Sequence, residues 1–310
     1  MKFVYILIGL CIFLQAEDKN PFDLSNIHKI DANIQQFLIE FDTVKKKIKE
    51  NKKIHLLRDL EKEKIVKKDK VSKFRLLKKT QSNDKIIYLT FDDGPLHGTE
   101  NVIRILLEEE INATMFFVGK HIQKNKILFH KALSMQNLCI SNHTYSHANE
   151  KYAYFYSNLN RVIHDVDKSQ QIIGGEKYLR LAGRNIWRLP EISKNDYAIS
   201  KRQRNIEIPK YDTLMNRGYQ IYGWDVEWNF NHHTGKPSYG VETILKKIES
   251  KYKQGDMTKK GKIILLSHDY MFRGEEGADK LRLLIHKLKE NNWRFESLKR
   301  YAKSQLDIVI

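Results

Sequence analysis

The stretch IYLTFDDGP, residues 87–95, sets two acids side by side after an apolar run. Neighbours on a strand point to opposite faces, so Asp92 and Asp93 can both reach an open cleft only where the strand ends. Gly94 and Pro95 are turn residues that stop the ladder there. A second stretch, CISNHTYSH, follows the run that ends near Ser141 with His143 and His147, four positions apart. One helical turn would stack those imidazoles on one face. Two imidazoles and a carboxylate make three ligands, the number a catalytic divalent metal uses while it leaves a position open for water. An isolated His pair at that spacing is weak evidence; beside a strand-end acid pair it is much stronger. Further along, KYLRLAGRN supplies Arg180, YQIYGWDVEW ends on Asp225 with Glu227 and Trp228 behind it, and KIILLSHDY ends on His268. Five apolar runs that each end on a residue able to do acid, base or metal chemistry are not five accidents.

The elements that must position these residues follow from the pattern after Asp84. Expected strands are Ile86 to Phe91, Thr114 to Val118, Leu138 to Ser141, Tyr178 to Leu181, Tyr219 to Trp224, Lys262 to Ser267 and Arg294 to Phe295. Amphipathic segments lie between most of them, at Thr99 to Glu110, Tyr156 to Ile173, Gly240 to Tyr252 and Ala278 to Asn291. Strand and helix in alternation predict an α/β fold with a parallel sheet, here a distorted (β/α) barrel of about seven parallel strands. In such a barrel the functional side chains collect at the carboxyl ends of the strands.

The motifs TFDDGP, HTYSH and LLSH resemble those of the polysaccharide deacetylases of the NodB-homology type, carbohydrate esterase family 4. The resemblance runs from about Ile86 to Leu298. It implies metal-dependent N-deacetylation of an N-acetylated glycan, with Asp92 as catalytic base, Asp93, His143 and His147 on a divalent ion, zinc first among candidates, Arg180 orienting Asp92, and His268 as general acid. It also implies an acid near WDVEW that tunes His268 and a Trp that walls the acetyl pocket, which makes Asp225 and Trp228 candidates. The chain departs from the pattern in two places. Ala182 stands where proline is expected, and WRLPE offers Arg188 and Pro190 nearby, so Arg188 is a second candidate for contact with Asp92 or substrate. Glu227-Trp228 replaces the usual Asp-Trp, which leaves both Asp225 and Glu227 open as the partner of His268. The insertion NFNHHTGKPSYG adds His232 and His233, read as loop histidines.

Composition sets the surroundings. The chain has 310 residues, 41% of them hydrophobic, enough for a substantial core. Its 55 Lys and Arg against 38 Asp and Glu give a net charge of +17, which favours anionic surroundings. Residues 1–16, an apolar run behind Lys2 that ends at Ala16, read as a signal peptide or retained membrane anchor, and so as export to the periplasm or envelope. Residues 17–83, dense in lysine with Ile34, Phe37, Leu38 and Phe41 at helical spacing, read as a solvated helical extension whose apolar stripe could pack on the main domain, pair with another helix or lie along an anionic envelope surface. Residues 84–310 form the expected barrel. With Cys11 in the leader, Cys139 is left without a disulfide partner. The lysine-rich segment lacks the interleaved aromatics of a nucleic-acid platform. Peptidoglycan is the expected substrate; the alternatives are an O-acetyl esterase on the same fold and a glycan-binding protein that has lost catalysis.

Overall fold

The computed structural model describes residues 85–301. The expected leader and the lysine-rich extension, 1–16 and 17–83, lie outside the described residues. Ten strands form one sheet: β1 Ile86–Asp92, β2 Ala113–Phe117, β3 Leu138–Asn142, β4 Tyr178–Leu179, β5 Trp187–Leu189, β6 Ile192–Lys194, β7 Gln220–Ile221, β8 Val226–Glu227, β9 Lys262–His268 and β10 Arg294–Phe295. Eight α-helices connect them: α1 Thr99–Glu108, α2 Gly119–Lys124, α3 Lys126–Leu133, α4 Tyr152–Ser157, α5 Leu159–Ile173, α6 Lys201–Asn216, α7 Val241–Gln254 and α8 Gly274–Glu290.

The sheet order is β6-β5-β7-β4-β3-β2-β1-β9-β8, with β10 on β1. Every neighbour pair is parallel except β5 with β6 and β5 with β7. The expected α/β architecture is therefore present: the seven expected strands run parallel in a curled sheet, β8 adds an eighth, and a short antiparallel hairpin joins one edge.

Strand β1 is buried along its whole length, yet its two faces differ in kind. Ile87, Leu89 and Phe91 join the outer core beneath the helices, with Val102 and Leu106 of α1 and Leu281 and Ile285 of α8. Ile86 and Tyr88 face the interior of the curl, among Phe116, Tyr222 and Tyr301. The same alternation sends Thr90 and Asp92 inward, which is how a buried strand ends on an acid. A third cluster, with Tyr156, Val166, Leu179 and Tyr211, seats α4, α5 and α6 on the β4–β7 side.

Helix boundaries differ from the expected ones where local chemistry intervenes. The helix expected from Tyr156 breaks at Asn158, which is extended (φ −121°, ψ 123°) and whose side chain accepts from Arg161 N, so α5 starts at Leu159. Helix α6 has no counterpart in the sequence reading; Pro209 interrupts its pattern.

Helix α6 is held by a buried ion pair. Arg184 donates Nε to Glu207 Oε2 at 2.7 Å and Nη2 to Oε1 at 2.9 Å, and the Tyr211 hydroxyl also donates to this carboxylate. Both partners are buried, at 4% and 1% exposure, so removing one strands the other's charge out of water. Glu207→Ala is expected to lower the free energy of unfolding by about 3–5 kcal/mol in denaturant titration; a loss under about 1 kcal/mol, the range of solvent-exposed pairs, would refute the assignment.

Candidate active site

Register sets the height of each functional residue. Asp92 lies beside His268 across β1 and β9 and beside Phe116 across β1 and β2. Phe117 pairs with Asn142 and Asn142 with Leu179, so the next residue on each of these strands, His143 and Arg180, emerges at the same rim. His143 N donates to Phe117 O at 3.0 Å and Arg180 N to Asn142 O at 2.9 Å. Asp92, Asp93, His143 and His268, from the ends of three strands, thus meet above the interior of the curl, in a cleft of about 1070 Å³ also lined by Trp224 and Tyr152.

Arg180 is fully buried. Its Nη1 donates to Asp92 Oδ1 at 2.8 Å and to Thr90 Oγ1 at 2.7 Å; Nε and Nη2 reach the carbonyls of Tyr222 and Gly223 at 3.3 and 2.9 Å. Its plane lies over the Phe116 ring, 4.3 Å from the centroid. Burial pushes the guanidinium pKa down against the pull of Asp92, yet arginine stays charged. Arg180, not Arg188, therefore meets Asp92. Arg188 is buried elsewhere, with Asp212 at 2.6 Å and Asn195 at 2.8 Å, which removes it from the substrate candidates.

Asp93 leaves the strand at φ 74° and turns its carboxylate toward both imidazoles. Asp93 Oδ1 lies 3.4 Å from His143 Nε2 and 3.2 Å from His147 Nε2. One donor atom from each of the three residues lies within 4.8 Å of the other two. The far ring nitrogens face acceptors: His143 Nδ1 is 2.8 Å from Arg180 O, and His147 Nδ1 is 2.5 Å from Glu150 Oε1. Neither acceptor carries a proton, so both Nδ1 atoms donate, which leaves both Nε2 atoms to face a carboxylate oxygen. That oxygen, Asp93 Oδ1, is buried with no hydrogen-bond partner among the described residues. Three electron-rich atoms converging on one point fit a divalent cation of the zinc type. Burial raises the Asp93 carboxyl pKa, but the imidazoles of His143, His268 and His147 outweigh it and hold the group well below the usual carboxylate range. His143 is pushed up, burial being overcome by the charges of Asp92 and Asp93.

The two histidines do not meet on a helix face. Thr144 (φ 67°) and His147 (φ 50°) are left-handed, and the loop between them is fixed by side chains. Asn142 Oδ1 accepts from Thr144 N, and Asp165 Oδ1 accepts from Tyr145 N and Ser146 N. Amides that a helix would bond internally are satisfied by one side-chain amide and one acid of the scaffold instead.

His268 Nε2 lies 3.9 Å from Asp93 Oδ2 across the cleft, and its ring stacks on Phe230 at 4.8 Å. Of the two acids left open by the sequence, Asp225 spends both oxygens on backbone amides, Thr258 N at 2.7 Å and Ile264 N at 2.9 Å. It is a structural tie for β9, which corrects its assignment as a catalytic residue. Glu227 faces the cleft; burial raises its pKa while the His268 charge and a bond from Trp224 oppose that. Trp228 is likewise corrected. Val226 and Trp228 share the outward face of β8, and the Trp228 ring packs on Phe272 at 5.7 Å, fully buried. The tryptophans that line the cleft are Trp187 and Trp224.

Sequence reasoning also passed over Asp269, next to His268. It is fully buried, accepts from Thr99 Oγ1, and sits where a Cβ on Gly94 would come within 2.5 Å of its Oδ2. It thereby ties the turn after Asp93 to the turn after His268, and Gly94 is the residue that admits it.

Residues 79–205 match the family described as polysaccharide deacetylase. The chain is 27% identical to a peptidoglycan-N-acetylglucosamine deacetylase of Bacillus cereus, over 69% of this chain and 86% of that protein. It is 24% identical to a chitin disaccharide deacetylase of Vibrio alginolyticus, over 70% and 71%. Among solved structures it shares the fold of the catalytic domain of a peptidoglycan N-acetylglucosamine deacetylase from Eubacterium rectale, with 20% identity, coverage of 71% and 90%, and a TM-score of 0.52.

Burial pushes the Asp269 carboxyl up to about 8, the Thr99 hydrogen bond opposing and the Asp93 charge adding. The folded protein thus keeps a proton that an unfolded chain, at 3.8, has released. This contribution to stability is present below that lower value and is lost as pH rises through the higher one. Denaturation midpoints of the wild type should therefore fall relative to those of Asp269→Asn between pH 4 and 8; parallel curves would refute the shift.

Proposed function

Because the chain belongs to the polysaccharide deacetylases, hydrolases that cleave the carbon–nitrogen bond of an acetamide, we propose that it deacetylates peptidoglycan with the help of a divalent metal, zinc first among candidates. The observation that carries this is the unpartnered Asp93 Oδ1 faced by two imidazole nitrogens, with the Arg180-bound Asp92 alongside.

Asp93, His143 and His147 would hold the ion. A divalent ion supplies Lewis acidity at such a site, acidifying water and polarising the acetyl oxygen. The chain's own residues do the rest. Asp92 takes the proton of the attacking water through the oxygen that Arg180 leaves free; Oδ1 is engaged by the guanidinium, and Oδ2 faces the His143 ring at 3.6 Å. Arg180 aims Asp92 by holding its other oxygen in a buried ion pair at 2.8 Å. The hydroxyl adds to the acetyl carbon, and the carbon–nitrogen bond breaks as His268 protonates the departing sugar amine, leaving acetate and a free amine. Glu227 keeps the His268 imidazole near a negative charge.

Peptidoglycan is favoured by the Bacillus cereus relative, which acts on that polymer by its name, and by the net charge of +17, which suits an anionic wall. Export fits the apolar run of residues 3–14, with the lysine-rich 17–83 segment laid on the anionic envelope surface. The Vibrio alginolyticus relative, named for chitin disaccharide, keeps short chitin oligomers as the second reading.

The test incubates the zinc-loaded chain with purified peptidoglycan and with N-acetylglucosamine oligomers and measures free acetate. Release from peptidoglycan is expected, abolished by a chelator and restored by zinc; release from the oligomers alone would overturn the substrate, and chelator-insensitive release the metal. Asp92→Asn should cut turnover by about 10²–10⁴-fold and leave bound zinc unchanged, whereas His143→Ala should lose both. Wild-type turnover in Asp92→Asn would remove Asp92 as the base.

A further inference from the structure

The turn that carries His147 has a backbone that ordinary residues avoid. His147, Ala148, Asn149 and Glu150 have φ of 50°, 54°, 45° and 59°, four consecutive left-handed residues without a glycine. Such a run persists only where its surroundings over-determine it, and it marks places where geometry serves a function. Here its effect is specific: it curls the chain back so that Glu150, three residues on, brings Oε1 within 2.5 Å of His147 Nδ1. The other carboxylate oxygen accepts from the Tyr152 hydroxyl at 2.7 Å. The Tyr152 ring stands edge-on to the His147 ring, with centroids 5.9 Å apart and planes at 85°. Lys120, from α2, reaches Asn149 Oδ1 at 2.5 Å and clasps the turn from the opposite wall.

We propose that Glu150 is a positioning residue for the metal ligand His147, and that the Tyr152 hydroxyl holds Glu150 in place. A carboxylate can only accept, so it fixes the proton on Nδ1 and leaves the Nε2 lone pair toward Asp93 Oδ1, 3.2 Å away. The two ligand histidines are thus backed differently. His143 leans on a neutral carbonyl, that of Arg180, whereas His147 leans on the Glu150 carboxylate. Glu150 is a side chain with 71% exposure, so its place in the site depends on the turn and on Tyr152 rather than on burial. The inference rests on the metal reading above and extends it to a residue outside the recognised motifs.

The test measures zinc affinity of the full chain by competition with a chromophoric chelator, together with nitrogen-15 spectra of the imidazoles. Glu150→Ala is expected to weaken zinc binding by about 10–100-fold and to mix the His147 tautomers in the metal-free protein. Glu150→Gln, which keeps an acceptor without the charge, should restore the single tautomer and recover part of the affinity. Tyr152→Phe should show a smaller loss than Glu150→Ala. The inference is overturned if Glu150→Ala binds zinc within about twofold of the wild type, or if Glu150→Gln is as weak as Glu150→Ala and its tautomers are equally mixed. A wild-type chain that retains no zinc overturns the metal reading and this inference together; normal zinc binding by the wild type and by Glu150→Ala overturns this one alone.

Discussion

A guanidinium sealed from water at the rim of the curled sheet is the constraint on which the site depends. Arg180 has no exposed surface, and an isolated buried cation is among the costliest things a fold can contain. Its donors go to two carbonyls, one hydroxyl and one carboxylate, and of these only Asp92 returns a full opposite charge. Asp92 is thereby fixed by a buried, charge-assisted hydrogen bond through Oδ1. Neighbouring Asp93 makes the opposite set of contacts: it meets no guanidinium, and its oxygens face imidazoles. Adjacent residues of the same type thus diverge in role because the left-handed turn at Asp93 sends one into the arginine and the other over the histidines.

Much of this was legible in the sequence, for a reason internal to parallel sheets. Strands buried on both faces read as continuous apolar runs, so the ends of β1, β3, β4 and β9 stand out, and whatever polar residue comes next lies at the rim. Asp92, Asp93, His143, Arg180 and His268 were all found by that rule. It fails where one apolar run covers a break between two strands. Strands β7 and β8 have two residues each, and the sequence between them reads as one strand ending at Trp224. The real break at Gly223 to Asp225 changes which residues share a face. Glu227 comes to the cleft and Trp228 goes to the core, the reverse of what a continuous strand implies. Asp225 was singled out for its position, but backbone amides claim it, and no pattern in one sequence announces that.

Residues acting through others were harder still. Glu150 and Asp269 each sit within three residues of a recognised histidine, yet their contacts depend on loop backbone that has no periodicity. The turn at 147–150 is left-handed throughout, and a four-residue His spacing is more simply read as a helix. The side chains that impose the actual path, Asn142 and Asp165, are a strand residue and a helix residue that only the fold brings together.

The sheet does not close into a full barrel, and the gap bears on what walls the cleft. Its edge strands are β6 and β8, and Lys194 Nζ of β6 reaches Thr258 Oγ1, in the loop before β9, at 3.2 Å. A seam without backbone pairing would be weak if the interior were loosely filled. It is instead plugged by aromatic rings: Tyr301 stands edge-on to Tyr88 and Tyr222 at 5.0 and 5.9 Å, and lies 5.8 Å from Trp187. Large rigid side chains bury more area per residue than aliphatic ones and lock one another in place, so the floor under Asp92 holds without the missing strand pairing. The same gap leaves one wall of the cleft to loops rather than a helix–strand unit, among them Asn195 to Ala198 and Asp256 to Thr258. The cleft that Asp92 and His268 line is therefore bounded on that side by loop residues.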